Sequence, residues 1–317
     1  MAKDKKAKSS PALTEEQRRF RRQFVLNTSV ILFLFIALAV GFSSVKSYVD
    51  HKLTFPTAIP KVVLKNRPAW MSDFLAQQIC AQVAPTAPGS AFDQNILSRS
   101  YMILEINPWI KKINQVRRVY GQKPGDTLEI DCEFRAPVAM VRYLDSYALI
   151  DADGVQLPEI FNYTQAMRAM FGPDGKVNIR IIEGVTSAPP ETGRKWRGDD
   201  LFAGLEMVNV LYGKPYTEQL QRINVSNYKG RVNPLEAWIV LLTPDNTEIR
   251  WGRPPKAEDA FAEVPVSQKL DYLEKIVAKY HRVDAGHSAI EIRFEGVRYP
   301  VGDHPTGERS AGLKQEP

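Results

Sequence analysis

Residues 23–45, QFVLNTSVILFLFIALAVGFSSV, contain no ionisable side chain. A helix of that stretch is about 34 Å long, enough to cross a hydrocarbon core of about 30 Å with some tilt. One membrane span is therefore predicted near the start, with about 270 of the 317 residues on its far side. Lys3, Lys5, Lys6, Lys8, Arg18, Arg19, Arg21 and Arg22 precede the span, against Asp4, Glu15 and Glu16. Basic residues stay on the cytoplasmic side, so residues 1–22 read as a cytoplasmic tail whose Arg18, Arg19, Arg21 and Arg22 fix the topology. A cleaved signal is the alternative, since Ala37-Leu38-Ala39 loosely resembles a cleavage site. The apolar run outlasts the roughly 7–15 residues of a signal core, which favours a retained anchor.

Charge elsewhere is nearly balanced. Removing the eight basic and three acidic residues of the tail from the 42 and 36 of the whole chain leaves 34 against 33. The global excess gives no support for a basic stripe that would track a phosphate backbone, so nucleic acid is not an expected partner. Cys80 and Cys132 both fall in the oxidising space outside the membrane. They could bridge a helix to a strand, or stay as two small thiols on apolar faces; two cysteines are no disulfide framework.

Residues 46–56 read as a short polar linker. Ile59, Val62 and Leu64 then suggest a strand. Ser72 or Asp73 can cap a helix with Phe74, Leu75, Ile79 and Val83 on one face, and Asp93 a second with Leu97, Tyr101 and Leu104. Asn107-Pro108 ends that helix, and Trp109-Ile110 opens a strand to about Tyr120. GQKPGD, 121–126, turns the chain into TLEIDCEFRAPVAM, 127–140, where Leu128, Ile130, Cys132 and Phe134 alternate with acids. That is the period of a half-buried strand. Arg135-Ala136-Pro137 breaks it before Val138 starts another, and proline belongs at a strand start or edge. The break reads as the hinge between a strand-helix-helix-strand-strand module, 57–134, and a second domain, 135–300.

The second domain is predominantly β. YALIDADGVQLP is a hairpin turning at Asp153-Gly154, and EAWIVLLTPDNTEIRWG one turning near Pro244-Asp245. VNIRIIEGV and LQRINVSNY alternate like strands. Asp199 or Asp200 can cap a helix carrying Leu201, Leu205, Val208 and Leu211. VSQKLDYLEKIVAKY aligns Val266, Leu270, Leu273, Val277 and Tyr280. SAIEIRFEG is the last strand, with Ile290, Ile292 and Phe294 inward and Glu291, Arg293 and Glu295 outward. Residues 301–317 read as a polar tail expected to be disordered. The fold class is α+β, with one anchor.

Residues fit for chemistry are sparse. His51, His281, His287 and His304 show no paired helical spacing, and no phosphate loop, nucleophile elbow or dinucleotide fingerprint occurs. Asp145, Asp151 and Asp153 lack the spacing of a calcium loop and read as a solvated turn. Lys111, Lys112, Arg117 and Arg118 read as the wet face of a strand, and Trp109 and Trp251 as core. No catalytic residue, metal site or cofactor is predicted.

In this order the pieces resemble the bacterial cell-division family FtsQ, called DivIB in some bacteria. Asn107-Pro108-Trp109-Ile110 is similar to the family's PWV, and TLEIDCEFRAPVAM to its TL.I.V.ER.PVA, with Glu133, Arg135, Pro137, Val138 and Ala139 in place. YALIDADGVQLP resembles the LVD..G..F hairpin, TEIRWG the V.LG strand and IEIRFEG the terminal VDLRY..G. The resemblance spans residues 17–300. Departures are a longer Val119–Asp126 connection, Glu291 for Asp, Phe294 for Tyr, and Gly296 one position early.

The resemblance implies a POTRA domain at 57–134, an FtsQ-type β domain at 135–300, and a non-enzymatic scaffold in the inner membrane at the division septum. It implies no cofactor and no small-molecule substrate. Its partners would be single-pass proteins like FtsB and FtsL, one lying as an added strand along Ala289 to Tyr299. The implied contacts are Ala289, Ile290, Ile292, Arg293, Phe294, Gly296, Val297 and Tyr299. About six backbone bonds at about 1 kcal/mol net each give about 6 kcal/mol, against an association cost of about 4–15 kcal/mol. Anchors must add the rest, with Phe294, Tyr299 and Arg293 the candidates. Strict alternation instead turns Phe294 inward, unless a bulge near Gly296 re-aims it. The alternatives are a POTRA-bearing envelope-assembly factor and a membrane-tethered cell-wall enzyme.

Overall fold

The computed structural model describes residues 15–53, 59–88, 93–119, 126–171, 179–257 and 263–300. The expected tail at 301–317 and most of the expected turn at 121–126 lie outside the described residues. Helix α1 runs Glu15–Leu53. Its Arg19–Tyr48 section, whose most apolar 18 residues reach a mean hydropathy of 2.4, is long and apolar enough to cross a membrane. Arg19, Arg21 and Arg22 stand exposed at the start of that section, and Arg18 lies in the same helix. The expected linker from residue 46 is corrected: the helix continues to Leu53, because no Gly or Pro interrupts Lys46–Leu53.

Strand β1 (Lys61–Leu64), α2 (Asp73–Val83), α3 (Gln94–Glu105), β2 (Ile110–Val119) and β3 (Thr127–Phe134) follow. The strands form a sheet in the order β1-β3-β2. Ser72 Oγ accepts from the Leu75 amide at 3.2 Å and Asp93 Oδ1 from the Asn95 amide at 2.9 Å, the two caps that the sequence predicts. Ala76, Ile79 and Val83 turn inward, whereas Phe74 is 70% exposed. Phe74 is corrected off the buried face because two residues turn a helix by about 200° from Ala76. Leu128, Ile130 and Cys132 of β3 are buried, as its alternation predicts.

The chain falls into two compact units. The first holds 1–63, 83–99 and 117–129; the second holds 64–82, 100–116 and 130–317. The second unit carries an eight-stranded sheet built from β4 (Pro137–Tyr143), β5 (Ser146–Asp151), β6 (Gln156–Phe161), β7 (Arg180–Glu183), β8 (Arg222–Asn224), β9 (Ile239–Leu242), β10 (Glu248–Gly252) and β11 (Ala289–Glu291). Their order is β11-β10-β9-β8-β7-β4-β5-β6. Helix α4 (Tyr163–Met170) follows β6, α5 (Asp199–Leu211) joins β7 to β8, and α6 (Val266–Tyr280) joins β10 to β11. A crossover helix returns the chain in the same direction, so β7 and β8, and β10 and β11, pair parallel. One core gathers Ile150, Ile182, Ile223, Leu241, Trp251, Ile290 and Ile292 with the inward faces of α5 and α6.

One local expectation changes, and one helix lies where the sequence pattern predicts none. Neither Asp199 nor Asp200 caps α5; Gly198 holds the N-cap position at φ +128° with no side-chain cap. The Asp200 carboxylate instead accepts from the Thr186 and Leu201 amides and pairs with Arg231 at 2.8 Å. Helix α4 carries no apolar stripe long enough to predict it, yet a capping box marks it. Asn162 accepts from the Gln165 amide while Gln165 accepts from the Asn162 amide.

Candidate functional site

The last strand sits at one rim of the eight-stranded sheet. Ala289, Ile290 and Glu291 lie parallel to Glu248, Ile249 and Arg250. Ile290 and Ile292 are fully buried, which fixes the register because a slip of one residue would turn both to water. The strand is shorter than expected. It ends at Glu291, and the chain bends over Arg293–Gly296 instead of continuing to Tyr299. Gly296, at φ +76°, makes the bend in a conformation that L side chains rarely adopt.

After the bend the chain returns along the rim. Glu291 and Arg298 form an antiparallel bridge, the Glu291 amide donating to Arg298 O at 2.9 Å and the Arg298 amide to Glu291 O at 3.1 Å. The outward peptide groups of Glu291 are thus engaged by the chain itself. Among the described residues, those of Ala289 make no backbone bond on that side. Tyr272 Oη accepts from the Gly296 amide at 3.0 Å, and the Tyr299 ring stacks on His287 at 4.0 Å. Val297 packs partly against the core, while Arg298, Tyr299 and Pro300 are exposed.

Side chains around the rim are bound to one another. Arg293 donates to both Glu291 oxygens at 2.7 Å and to Leu235 O at 3.1 Å. Hydrogen bonds to Glu291 raise the already high pKa of Arg293 against the opposing effect of burial. Arg293 is 5.0 Å and Arg298 5.5 Å from the Phe294 ring. Phe294 is half-buried, off the strict alternation that would carry it inward with Ile292. Of the eight sequence-predicted contacts, Ile290 and Ile292 are core, Ala289 is a buried rim residue, and Arg293, Phe294, Gly296, Val297 and Tyr299 belong to the bend and return.

The expected hinge is a braced corner within the second unit. The Arg135 amide donates to Trp109 O at 2.9 Å, and its guanidinium reaches Asp151 at 2.6 Å. Asp151 is buried, not part of a solvated turn as expected, and also accepts from the Asp153 and Val155 amides. Lys111 pairs with Asp153 at 2.7 Å, while Lys112 and Arg117 pair with Glu133 and Glu129. Pro137 opens β4 opposite Asp151, and Ala136 joins it to Arg135.

Two buried cations escape sequence reasoning. Lys269 donates to Trp251 O and to Glu263, each at 2.7 Å, and burial lowers its pKa despite Glu263. Arg180 donates to Leu220 O and Thr217 O, and burial brings it to about 10. Both tie loops to the sheet; a basic residue on an otherwise apolar face was the only signal. Cys80 and Cys132 are free thiols, and burial pushes Cys132 up to about 11. No group of three or more His, Cys, Asp or Glu fit to hold a metal occurs among the described residues. No family model matches the chain, and no curated protein gives a significant match.

Proposed function

We propose that this chain is a membrane-anchored, non-enzymatic scaffold of the FtsQ/DivIB type, which gathers single-pass division proteins outside the cytoplasmic membrane. In this reading α1 is the inner-membrane anchor with its N-terminus in the cytoplasm, and the βααββ module is a POTRA domain. The β11 rim receives an extended segment of an FtsB- or FtsL-like partner. One observation carries the proposal: the chain order that the motifs predict ends in a rim strand whose Ile290 and Ile292 are locked in the core and whose other side, among the described residues, faces the single Arg298 bridge and no further strand. A rim of this kind invites strand addition.

The short β11 lowers the backbone contribution. Outward groups come from Ala289 and Glu291, and those of Glu291 are already paired. Side-chain anchors therefore carry more of the affinity than a long strand would require. Depletion separates the rival functions. Filaments without septa, together with midcell localisation of a fluorescent fusion, support the scaffold. Outer-membrane assembly defects, or altered wall chemistry with normal septa, contradict it.

A further inference from the structure

We propose that the Val297–Tyr299 return is a built-in placeholder strand, which covers the β11 rim and is exchanged for the partner's extended segment. This rests on the strand-addition reading above. Three observations meet here. The return takes both outward groups of Glu291. Besides that bridge it is held by the half-buried Val297, by the Tyr299 ring stacked on His287 and, at the bend before it, by one bond from the Gly296 amide to Tyr272, so it can leave while Ile290 and Ile292 stay buried. And its pairing stops after one rung for a reason written in the sequence. Hydrogen-bonded pairs in an antiparallel ladder recur every second residue, so the rung after Glu291–Arg298 sets Ala289 against Pro300. Proline has no N–H to give the Ala289 carbonyl.

The cover is therefore a weak competitor by construction. A partner segment with an ordinary residue at that position completes the second rung, which the chain's own segment cannot. The same arrangement keeps a sticky rim from pairing with other copies before a partner arrives, a recurrent hazard of exposed edges. The fitting partner is an extended segment with no proline opposite Ala289, and with an apolar or aromatic side chain to replace Tyr299 on His287.

Two substitutions in the full chain push the equilibrium in opposite directions. Arg298→Pro removes the donor to Glu291 O and opens the rim. Pro300→Val supplies the missing donor and closes it. The probe is the extracytoplasmic segment of an FtsB-like protein from the same cell, and the second readout is amide hydrogen exchange. One backbone bond is worth about 1 kcal/mol, or about fivefold in affinity. Capture is expected to rise about fivefold in Arg298→Pro with faster exchange at Glu291, and to fall about fivefold in Pro300→Val with slower exchange at Ala289. Reduced capture by both variants overturns the placeholder, because residues 298–300 would then contact the partner directly. Unchanged exchange at Glu291 in Arg298→Pro also overturns it, and if the unaltered chain still captures the probe the strand-addition reading survives. Altered exchange with identical capture throughout sinks the strand-addition reading instead.

Discussion

The eight-stranded sheet has two rims, β11 and β6, and the chain itself covers one end of each. At β6 the Gln156 amide donates to Arg194 O at 3.0 Å and Gln156 O accepts from the Gly193 amide at 2.8 Å. A further bridge joins Val155 to Lys195, and the Trp196 amide donates to Gly154 O. Trp196 is fully buried, its indole N–H donating to Ser187, and Pro158 removes a donor within the strand. At β11 the cover is one bridge with an exposed Tyr299. Equal chemistry with unequal anchoring gives a cover pinned by the core at the start of β6 and a latch at β11. An unpaired edge is a liability everywhere, so only the cover that can leave marks a site.

The sharpest way to break this contrast is to remove each anchor. Trp196→Ala is expected to cost about 4 kcal/mol, the range for a fully buried tryptophan, seen as a large drop in melting temperature. Equal loss from Tyr299→Ala would erase the distinction between the rims. Next in size is the braced corner. Asp151→Ala leaves the half-buried Arg135 guanidinium only the more distant Asp153, 3.6 Å away, and strips the Asp153 and Val155 amides of their acceptor; it is expected to cost about 2 kcal/mol by denaturant titration. A change under about 0.5 kcal/mol would make the corner a loose hinge after all.

Acid probes both regions together. Burial raises Asp200, but hydrogen bonds from Arg231 and Thr186 outweigh it and leave the carboxyl below its ordinary value. Asp284, just before β11, is held down likewise against burial by Arg282, the Gly286 amide and Thr247. A carboxyl depressed by folding binds its proton more readily when unfolded. Its contribution is thus full above about pH 4 and is lost as pH falls through the folded values. The Asp200→Asn/Asp284→Asn variant should melt lower at pH 7 and lose less on acidification below about pH 4. A parallel decline in both proteins would contradict these assignments. Smallest is Tyr299→Ala itself, expected at about 1 kcal/mol, the scale of one ring stack, with faster amide exchange confined to residues 289–299.

Much of this architecture is legible in the sequence where period and punctuation agree. The helix of 266–280 returns with the bounds of α6, although Tyr280 of its expected stripe is exposed and Lys269 and Ile276 are buried beside Leu273, and the alternation of 127–134 returns as β3. Misreadings fall where a local pattern does not encode its neighbours. Alternation through Phe294 continues past the end of β11, because pattern alone does not say where a rim strand loses its partner. Asp151 looks like a polar turn residue until folding brings Arg135 against it. The return of residues 297–299 was invisible for the same reason: Gly296 signals a bend, but not that Arg298 lands on Glu291. The proline at 300 carried information only once that register was known.

Photo-crosslinking in living cells tests the scaffold most directly, with the crosslinker placed at Ala289 on one rim and at the exposed Ile160 on the other. The account predicts a midcell-dependent adduct between Ala289 and an FtsB- or FtsL-like protein, and none from Ile160. No adduct from Ala289, or equal adducts from both rims, would contradict it.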